Sequence, residues 1–269
     1  MPQVEVNGHH IFYVEEGEGE ETLVFAHGLL WSHKMFREQF AHFKKRYRVI
    51  AYDHPGQGQS ELPAAGMDME TLTADALQFI VKVVGKPVHF LGLSMGGFVG
   101  MRLAARHPEW IASLVLMETS ANTEPVENLP QYKMLNGAVK LFGVTSAVAG
   151  PVMKIMFAQS WLENPAHAEA KAFWTKELKA NKRSISRSVE AVIYRKGVAG
   201  ELGQITCPTL VLVGDEDVAT KPEKAKFIQM NISGAKLHII PGAGHSCTIE
   251  KPEEVNRLLE EWYAETVGI

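Results

Sequence analysis

The sequence predicts an α/β fold: a mostly parallel, doubly wound sheet that begins with an antiparallel hairpin and carries an inserted helical cap. Three observations predict it. From the N-terminus to Ala121, short and wholly apolar runs alternate with segments of helical periodicity, as strands buried on both faces alternate with the helices that cover them. The rhythm breaks after Ala121, and no run from Asn122 to Gly200 reads as a buried strand. It then resumes at Cys207-Pro208-Thr209. The expected organisation is a sheet domain made of residues 1–121 and 201–269, with 122–200 as the cap between its halves.

The elements follow in order. Val4–Val6 and Ile11–Val14 flank Asn7-Gly8, a two-residue turn signal for a hairpin. Glu15–Glu21 is acidic and glycine-rich, a solvated loop. Thr22–Ala26 is an apolar run that ends at His27-Gly28, and Arg48–Tyr52 repeats the pattern before Asp53. Thr71–Val84 sets Leu72, Ala76, Phe79, Ile80 and Val83 at helical spacing. Val88–Leu91 and Leu114–Met117 are two more buried strands. Between them lies a helix, Phe98–Arg106, stopped by Pro108. Four helices are expected in the cap: Pro130–Phe142, Ser146–Ser160, Pro165–Ala180 and Ser184–Lys196. Beyond it, Leu210–Val213 and Lys236–Ile240 complete the sheet. Pro252–Thr266 closes the chain with Val255, Leu258, Leu259 and Trp262 on one face.

Composition narrows the function classes. The chain has 269 residues, 46 % hydrophobic and 22 % charged, which excludes a disordered chain, a collagen-like repeat and a coiled coil. A formal net charge of −4 offers no basic field for nucleic acid or an anionic membrane. Two cysteines, Cys207 and Cys247, build neither a disulfide framework nor a thiolate zinc site. They read as free thiols in a reducing compartment. No apolar run approaches the ~20 residues of a membrane span. Met1-Pro2-Gln3-Val4-Glu5 has neither the basic nor the apolar region of a secretory signal, so the expected location is cytoplasmic. Nothing in the sequence asks for a metal or a cofactor.

The strongest motif is Gly92-Leu93-Ser94-Met95-Gly96. A buried strand runs into it and a helix follows, which is the setting of a nucleophile elbow. A serine hydroxyl needs a base, and the base needs an orienting acid. His245, in Gly242-Ala243-Gly244-His245 between the last strand and the last helix, stands where such elbows place the base. The acid is expected in Gly214-Asp215-Glu216-Asp217. Asp217 is best placed to reach back to His245, Asp215 is the runner-up, and Glu118 comes third. An oxyanion hole is expected from the backbone N–H groups of Met95 and Leu29. His27 reads as a brace for that loop rather than as a base. In the cap, Met134, Phe142, Met153, Phe157 and Trp161 read either as ordinary helical core or, with Leu30, as the lining of an apolar pocket.

These residues carry a resemblance that spans nearly the whole chain. His27-Gly28, Asp53-His54-Pro55-Gly56-Gln57-Gly58-Gln59-Ser60, the Ser94 elbow, Gly214-x-x-Asp217 and Gly242-x-Gly244-His245, in this order, resemble the α/β-hydrolase superfamily. Within it the chain is similar to small carboxylesterases, haloperoxidase-like perhydrolases and 3-oxoadipate enol-lactonases. Gly92–Gly100 followed by Leu103–Glu109 is especially enol-lactonase-like. The resemblance implies a carboxylic ester hydrolase that works through an acyl-enzyme on small to medium acyl chains. Its alternative is a lactone or enol-lactone hydrolase with the same triad, Ser94, Asp217 and His245. Ser94 stands against the dehalogenases and epoxide hydrolases of this fold, which have Asp there, and Leu93 against the carbon–carbon bond hydrolases. A perhydrolase, or a hydrolase-fold receptor whose elbow would carry Ser at Gly97, is a remoter reading. The partner expected is a small apolar ester or lactone, with no nucleic acid and no membrane span; a homodimer is left open. Lys133, Lys140, Lys154 and Arg187 are candidates to hold a substrate carboxylate, and each reads more simply as a solvated helix face.

Overall fold

The apolar runs become eight strands, β1 (Gln3–Val6), β2 (His9–Glu16), β3 (Thr22–Ala26), β4 (Arg48–Tyr52), β5 (Val88–Leu93), β6 (Ile111–Met117), β7 (Thr209–Gly214) and β8 (Lys236–Ile240). A computed structural model describes residues 2–269. The strands form one sheet in the order β1-β2-β4-β3-β5-β6-β7-β8. β1 pairs antiparallel with β2, and β2 antiparallel with β4; every later pairing is parallel. The hairpin turns at Asn7, φ +46°, and Gly8, φ +82°, the left-handed pair that a tight turn between twisted strands requires.

Strand periodicity divides the core. Leu23, Phe25, Val49, Ala51, Leu91, Val115 and Leu210 point to one face, where α1 (Arg37–Phe43) and α11 (Pro252–Trp262) cover them. Val24, Ile50, Phe90, Leu114, Leu116 and Val211 point to the other, under α2 (Met69–Phe79), α3 (Met95–Arg106) and α9 (Pro222–Asn231). Successive side chains of a strand alternate in direction, so a run apolar at every position needs a helix layer on both sides. The sequence gives no periodic signal for α9, which buries only Ala225 and Ile228.

Between β6 and β7 the chain is helical: α4 (Leu129–Phe142), α5 (Ser146–Met156), α6 (Gln159–Glu163), α7 (Ala168–Lys179) and α8 (Ile185–Ile193). α4 packs on α8, and α5 on α7. The single helix expected over Ser146–Ser160 breaks into two, because Phe157 and Ala158 are extended. Pro165–His167 is a 3-10 turn ahead of α7. No helix is long and apolar enough to cross a membrane among the described residues.

The sheet order fixes where a site can form. From β3 the chain turns to β4 on one side, while β5 pairs with β3 on the other. In such sheets a crevice opens at the carboxyl ends of the two strands where the order reverses. The loop after β3 and the turn after β5 both lie there.

Candidate active site

β5 delivers Ser94 to that crevice. Ser94 takes φ +51° and ψ −108°, and α3 starts at the next residue. A strained backbone of this kind persists only where its neighbours over-determine it. The neighbour here is β3: a Cβ on Gly96 would stand 2.1 Å from the Ala26 carbonyl oxygen and 2.6 Å from its carbon. Only glycine lets the elbow close so tightly on the strand.

Three side chains meet in a hydrogen-bonded line. His245 Nε2 lies 2.9 Å from Ser94 Oγ, and its Nδ1 lies 2.9 Å from Asp217 Oδ2. All three residues are buried. Asp217 also accepts from the backbone N–H of Ala219 at 2.7 Å and of Thr220 at 3.0 Å, and from Thr220 Oγ1 at 2.7 Å. Burial alone would raise the Asp217 pKa, but the His245 ring and these donors hold it well below the usual carboxylate range. The carboxylate is therefore charged at every ordinary pH. Sequence reading did not single out Thr220. Its signal is local, a hydroxyl residue three places after Asp217, the spacing at which an aspartate side chain receives backbone N–H groups.

The other two candidate acids go elsewhere. Asp215 Oδ1 accepts from the Gly242 N–H at 2.7 Å and so fixes the turn after β8. Glu118 is fully buried and accepts from the Gly214 N–H at 2.9 and 3.1 Å. Its carboxyl, Asp217 and His245 present atoms that all lie within 4.8 Å of one another.

Leu29 and Met95 flank Ser94, and neither backbone N–H donates to a protein acceptor among the described residues. The N–H of Leu30, at φ +73°, is by contrast taken by Gln57 Oε1 at 2.9 Å. Gln57 thus sets the turn that leaves the Leu29 donor free. Only the loop from Asp53 to Ser60 hints at this in the sequence. His27 is a brace: Nδ1 donates to the Gly28 carbonyl at 2.7 Å and Nε2 accepts the His54 N–H at 2.9 Å. Burial pushes the pKa of both rings down, so neither carries charge near neutrality.

Above Ser94 and His245 lies a cavity of about 120 Å³. Its wall is largely aliphatic, with Leu135, Val139, Val148, Val152 and Ile155 from the helical insertion and Leu30 from the core. The other pocket candidates require correction. Met134 and Phe142 are 68 % and 69 % exposed. α4 turns Leu135, Asn136 and Val139 inward, which leaves Met134 on the outer face, and Phe142 extends past the packed part of its last turn. Met153, next to Val152 on α5, lines a separate depression with Ala149 and Thr175. Phe157 and Trp161 stack on each other at 4.6 Å in the core, outside the cavity.

Polar groups in the wall are few. Glu124 is tied to Arg195 at 2.7 Å in a buried pair that sequence reading did not single out. Burial raises the Tyr132 hydroxyl to about 12. None of Lys133, Lys140, Lys154 and Arg187 reaches the cavity. Lys140 pairs with Glu190, Arg187 donates to the Pro63 carbonyl, and Lys133 sits over the Tyr194 ring. Cys247 is fully buried, and burial pushes its thiol up, which leaves it little thiolate character.

Residues 21–252 match the family model described as the alpha/beta hydrolase fold. The chain is 26 % identical over 265 residues to the "Serine hydrolase BPHL" of Mus musculus, covering 97 % of this chain and 85 % of that one. It is 26 % identical over 271 residues to the "(E)-2-((N-methylformamido)methylene)succinate hydrolase" of Acinetobacter baylyi, covering 97 % and 96 %. The enol-lactonase from Burkholderia xenovorans LB400 superposes with a TM-score of 0.90 at 27 % identity, over 98 % of this chain and 100 % of that one.

Proposed function

The chain belongs to the α/β-hydrolase family, and from that premise we propose that it is a serine hydrolase of carboxylic esters with small to medium acyl chains. The observation that carries the reading is the line of 2.9 Å contacts from Asp217 through His245 to Ser94. Ser94 Oγ attacks the ester carbonyl as His245 Nε2 takes its proton. The carbonyl oxygen becomes an oxyanion, received by the N–H groups of Leu29 and Met95, which have no protein acceptor among the described residues. Asp217, held charged, fixes the ring tautomer and stabilises the imidazolium. The proton then passes to the departing alkoxide and the alcohol leaves. Water, deprotonated by His245, attacks the acyl-serine, and the acid and free Ser94 result.

The helical insertion acts as a cap whose aliphatic face receives the acyl chain. The cavity wall carries no unpaired charged side chain, since Glu124 is bound to Arg195. That supports an apolar, uncharged acyl group. A lactone substrate is the second reading, favoured by the likeness to a solved enol-lactonase at a TM-score of 0.90. A lactone differs only in that the leaving alkoxide stays tethered to the acyl group.

The test is Ser94→Ala, assayed on p-nitrophenyl esters of graded acyl length beside a set of lactones. Its kcat is expected to fall by on the order of 10⁴ to 10⁶, because triad members act as a unit. Native rates in that variant exclude the mechanism. A kcat/KM higher on lactones than on every open-chain ester selects the second reading.

A further inference from the structure

Four residues other than glycine hold a positive φ among the described residues: Asn7, Leu30, Ser94 and Glu118. Asn7 makes the hairpin turn, and Leu30 and Ser94 belong to the site. Glu118, at φ +46° directly after β6, has no part in the ester mechanism above. A long side chain in the left-handed region persists only where its surroundings hold it there, and such positions cluster at functional sites.

What holds Glu118 is specific. Its carboxyl receives the N–H of Gly214, where β7 turns into the loop that carries Asp217, and its own N–H donates to Leu212 O at 3.0 Å. Asp217 faces it from that loop, and His245 faces both carboxyls within 4.8 Å. The Cys247 thiol faces it from α10 (Cys247–Glu250), with Glu250 beyond the thiol. Two carboxyls this close in a buried place do not both ionise. Asp217 has the His245 ring, two backbone donors and a hydroxyl, whereas Glu118 has one backbone donor and the weakly donating Cys247 thiol. The single negative charge therefore belongs to Asp217. Burial, and then Asp217 itself, push the Glu118 carboxyl well above its ordinary range.

We propose that Glu118 is a positioning residue of the Asp217–His245 pair: it stays neutral, turns its proton toward the Asp217 carboxylate, and fixes through Gly214 the strand end from which the Asp217 loop departs. One negative charge, not two, then faces the imidazole. The proposal rests on the hydrolase reading for what the pair does, but its geometry is independent of the substrate.

The test follows the His245 ring proton by NMR titration, assigned with His245→Ala. Glu118→Gln keeps the shape, an acceptor for Gly214 and a donor for Asp217. The imidazole titration in that variant is expected to match the native chain within about 0.3 units. A downward move of about half a unit or more means that a charge left with Glu118, and overturns the proposal. Glu118→Leu removes donor and acceptor together. It is expected to lower kcat on the order of tenfold, more than Glu118→Gln does, with little change in KM. Native kcat in a folded Glu118→Leu chain overturns the positioning role. Should that chain not fold, Glu118→Asp, whose carboxyl is too short to hold Gly214, takes its place with the same expectation and the same overturning result. If the native chain hydrolyses none of the esters or lactones, the hydrolase reading fails by itself, and the imidazole titration still decides the state of Glu118.

Discussion

At Gly96 a hydrogen in place of a methyl group decides whether the elbow can form. A Cβ there would stand 2.1 Å from the backbone oxygen of Ala26, and a strand backbone cannot step aside as a side-chain tip can. Gly96→Ala is therefore expected to cost about 1–3 kcal/mol, the usual range for overpacking a tight core. For a chain of this length that lowers Tm by several degrees, at about 2–4 °C per kcal/mol. Because Met95 N–H and Ser94 lie in the same turn, kcat should fall as well. A thermal melt with initial-rate kinetics checks both, and a variant native in both shows that β3 does not constrain the turn. At this scale the sequence is legible where the chemistry is local. Gly92-x-Ser94-x-Gly96 and Gly244-His245 announce themselves because sterics dictate the neighbours. Asp217 ranks ahead of Asp215 because it ends the loop rather than leaving the strand, and the fold sends Asp215 to Gly242 and Asp217 to His245. The sequence marks Glu118 only as a third candidate acid and Gln57 only as part of the Asp53–Ser60 loop; the part each plays is not legible, since each acts on a residue far along the chain.

Short α6 and the residue before it tie the insertion to the loops that carry Asp217 and His245. Glu250 Oε2 accepts the N–H groups of Ala158 at 2.8 Å and Gly244 at 3.1 Å, while Oε1 accepts that of Ser246 at 3.0 Å. The peptides on either side of His245 are thus clamped to Ala158, the residue just before α6. Glu216, next to Asp217, holds the Ser160 N–H at 3.1 Å and its hydroxyl at 2.5 Å. A Cβ on Gly244 would meet Ala158 N at 2.2 Å, so the contact tolerates no side chain. This contact accompanies the break at Phe157–Ala158 in a stretch whose periodicity reads as one helix: Ala158 is extended and its N–H is spent on Glu250 rather than within a helix. Periodicity reports a helix's own faces, not a contact with a loop some 90 residues away. Burial, against three backbone donors, raises the Glu250 pKa from the ordinary 4.5 to about 7. A carboxyl raised in the folded state binds its proton more tightly there than in the unfolded chain. Its contribution to stability is full below pH 4.5 and is lost as pH rises through about 7. At 1.36 kcal/mol per unit the loss is about 3 kcal/mol. Glu250→Gln does not titrate, so the native-minus-variant unfolding free energy should drop by that order between about pH 4 and pH 8. Urea unfolding across that range measures it, and a difference that stays flat assigns the pH dependence to other groups.

Across the whole molecule, a sheet that reverses its order at β3 and β5 supplies the polar machinery, and the insertion supplies most of the apolar wall. The sequence shows the first part plainly, because strands buried on both faces must be apolar throughout. It shows that the insertion is helical for a similar reason. It does not show which face of each helix looks inward, because α4 and α5 are apolar on more than one face and their phase is set by packing on α8 and α7. Large side chains such as Met134 and Phe142 draw the eye, yet the wall is built from Val139, Val148, Val152 and Ile155. On the proposed reading, an acyl chain lies against those aliphatic groups in a cavity of about 120 Å³. Val152→Phe fills part of that space while leaving Ser94, His245 and Asp217 in place. The ratio of kcat/KM for p-nitrophenyl octanoate to that for the acetate should then fall by on the order of tenfold, the discrimination that one or two methylenes command in an apolar pocket. If the ratio holds at its native value while the variant's fold is intact, the acyl chain does not enter between α4 and α5. The alcohol side of the ester would then occupy the cavity, and a series varied in the alcohol at constant acyl length would show the drop instead.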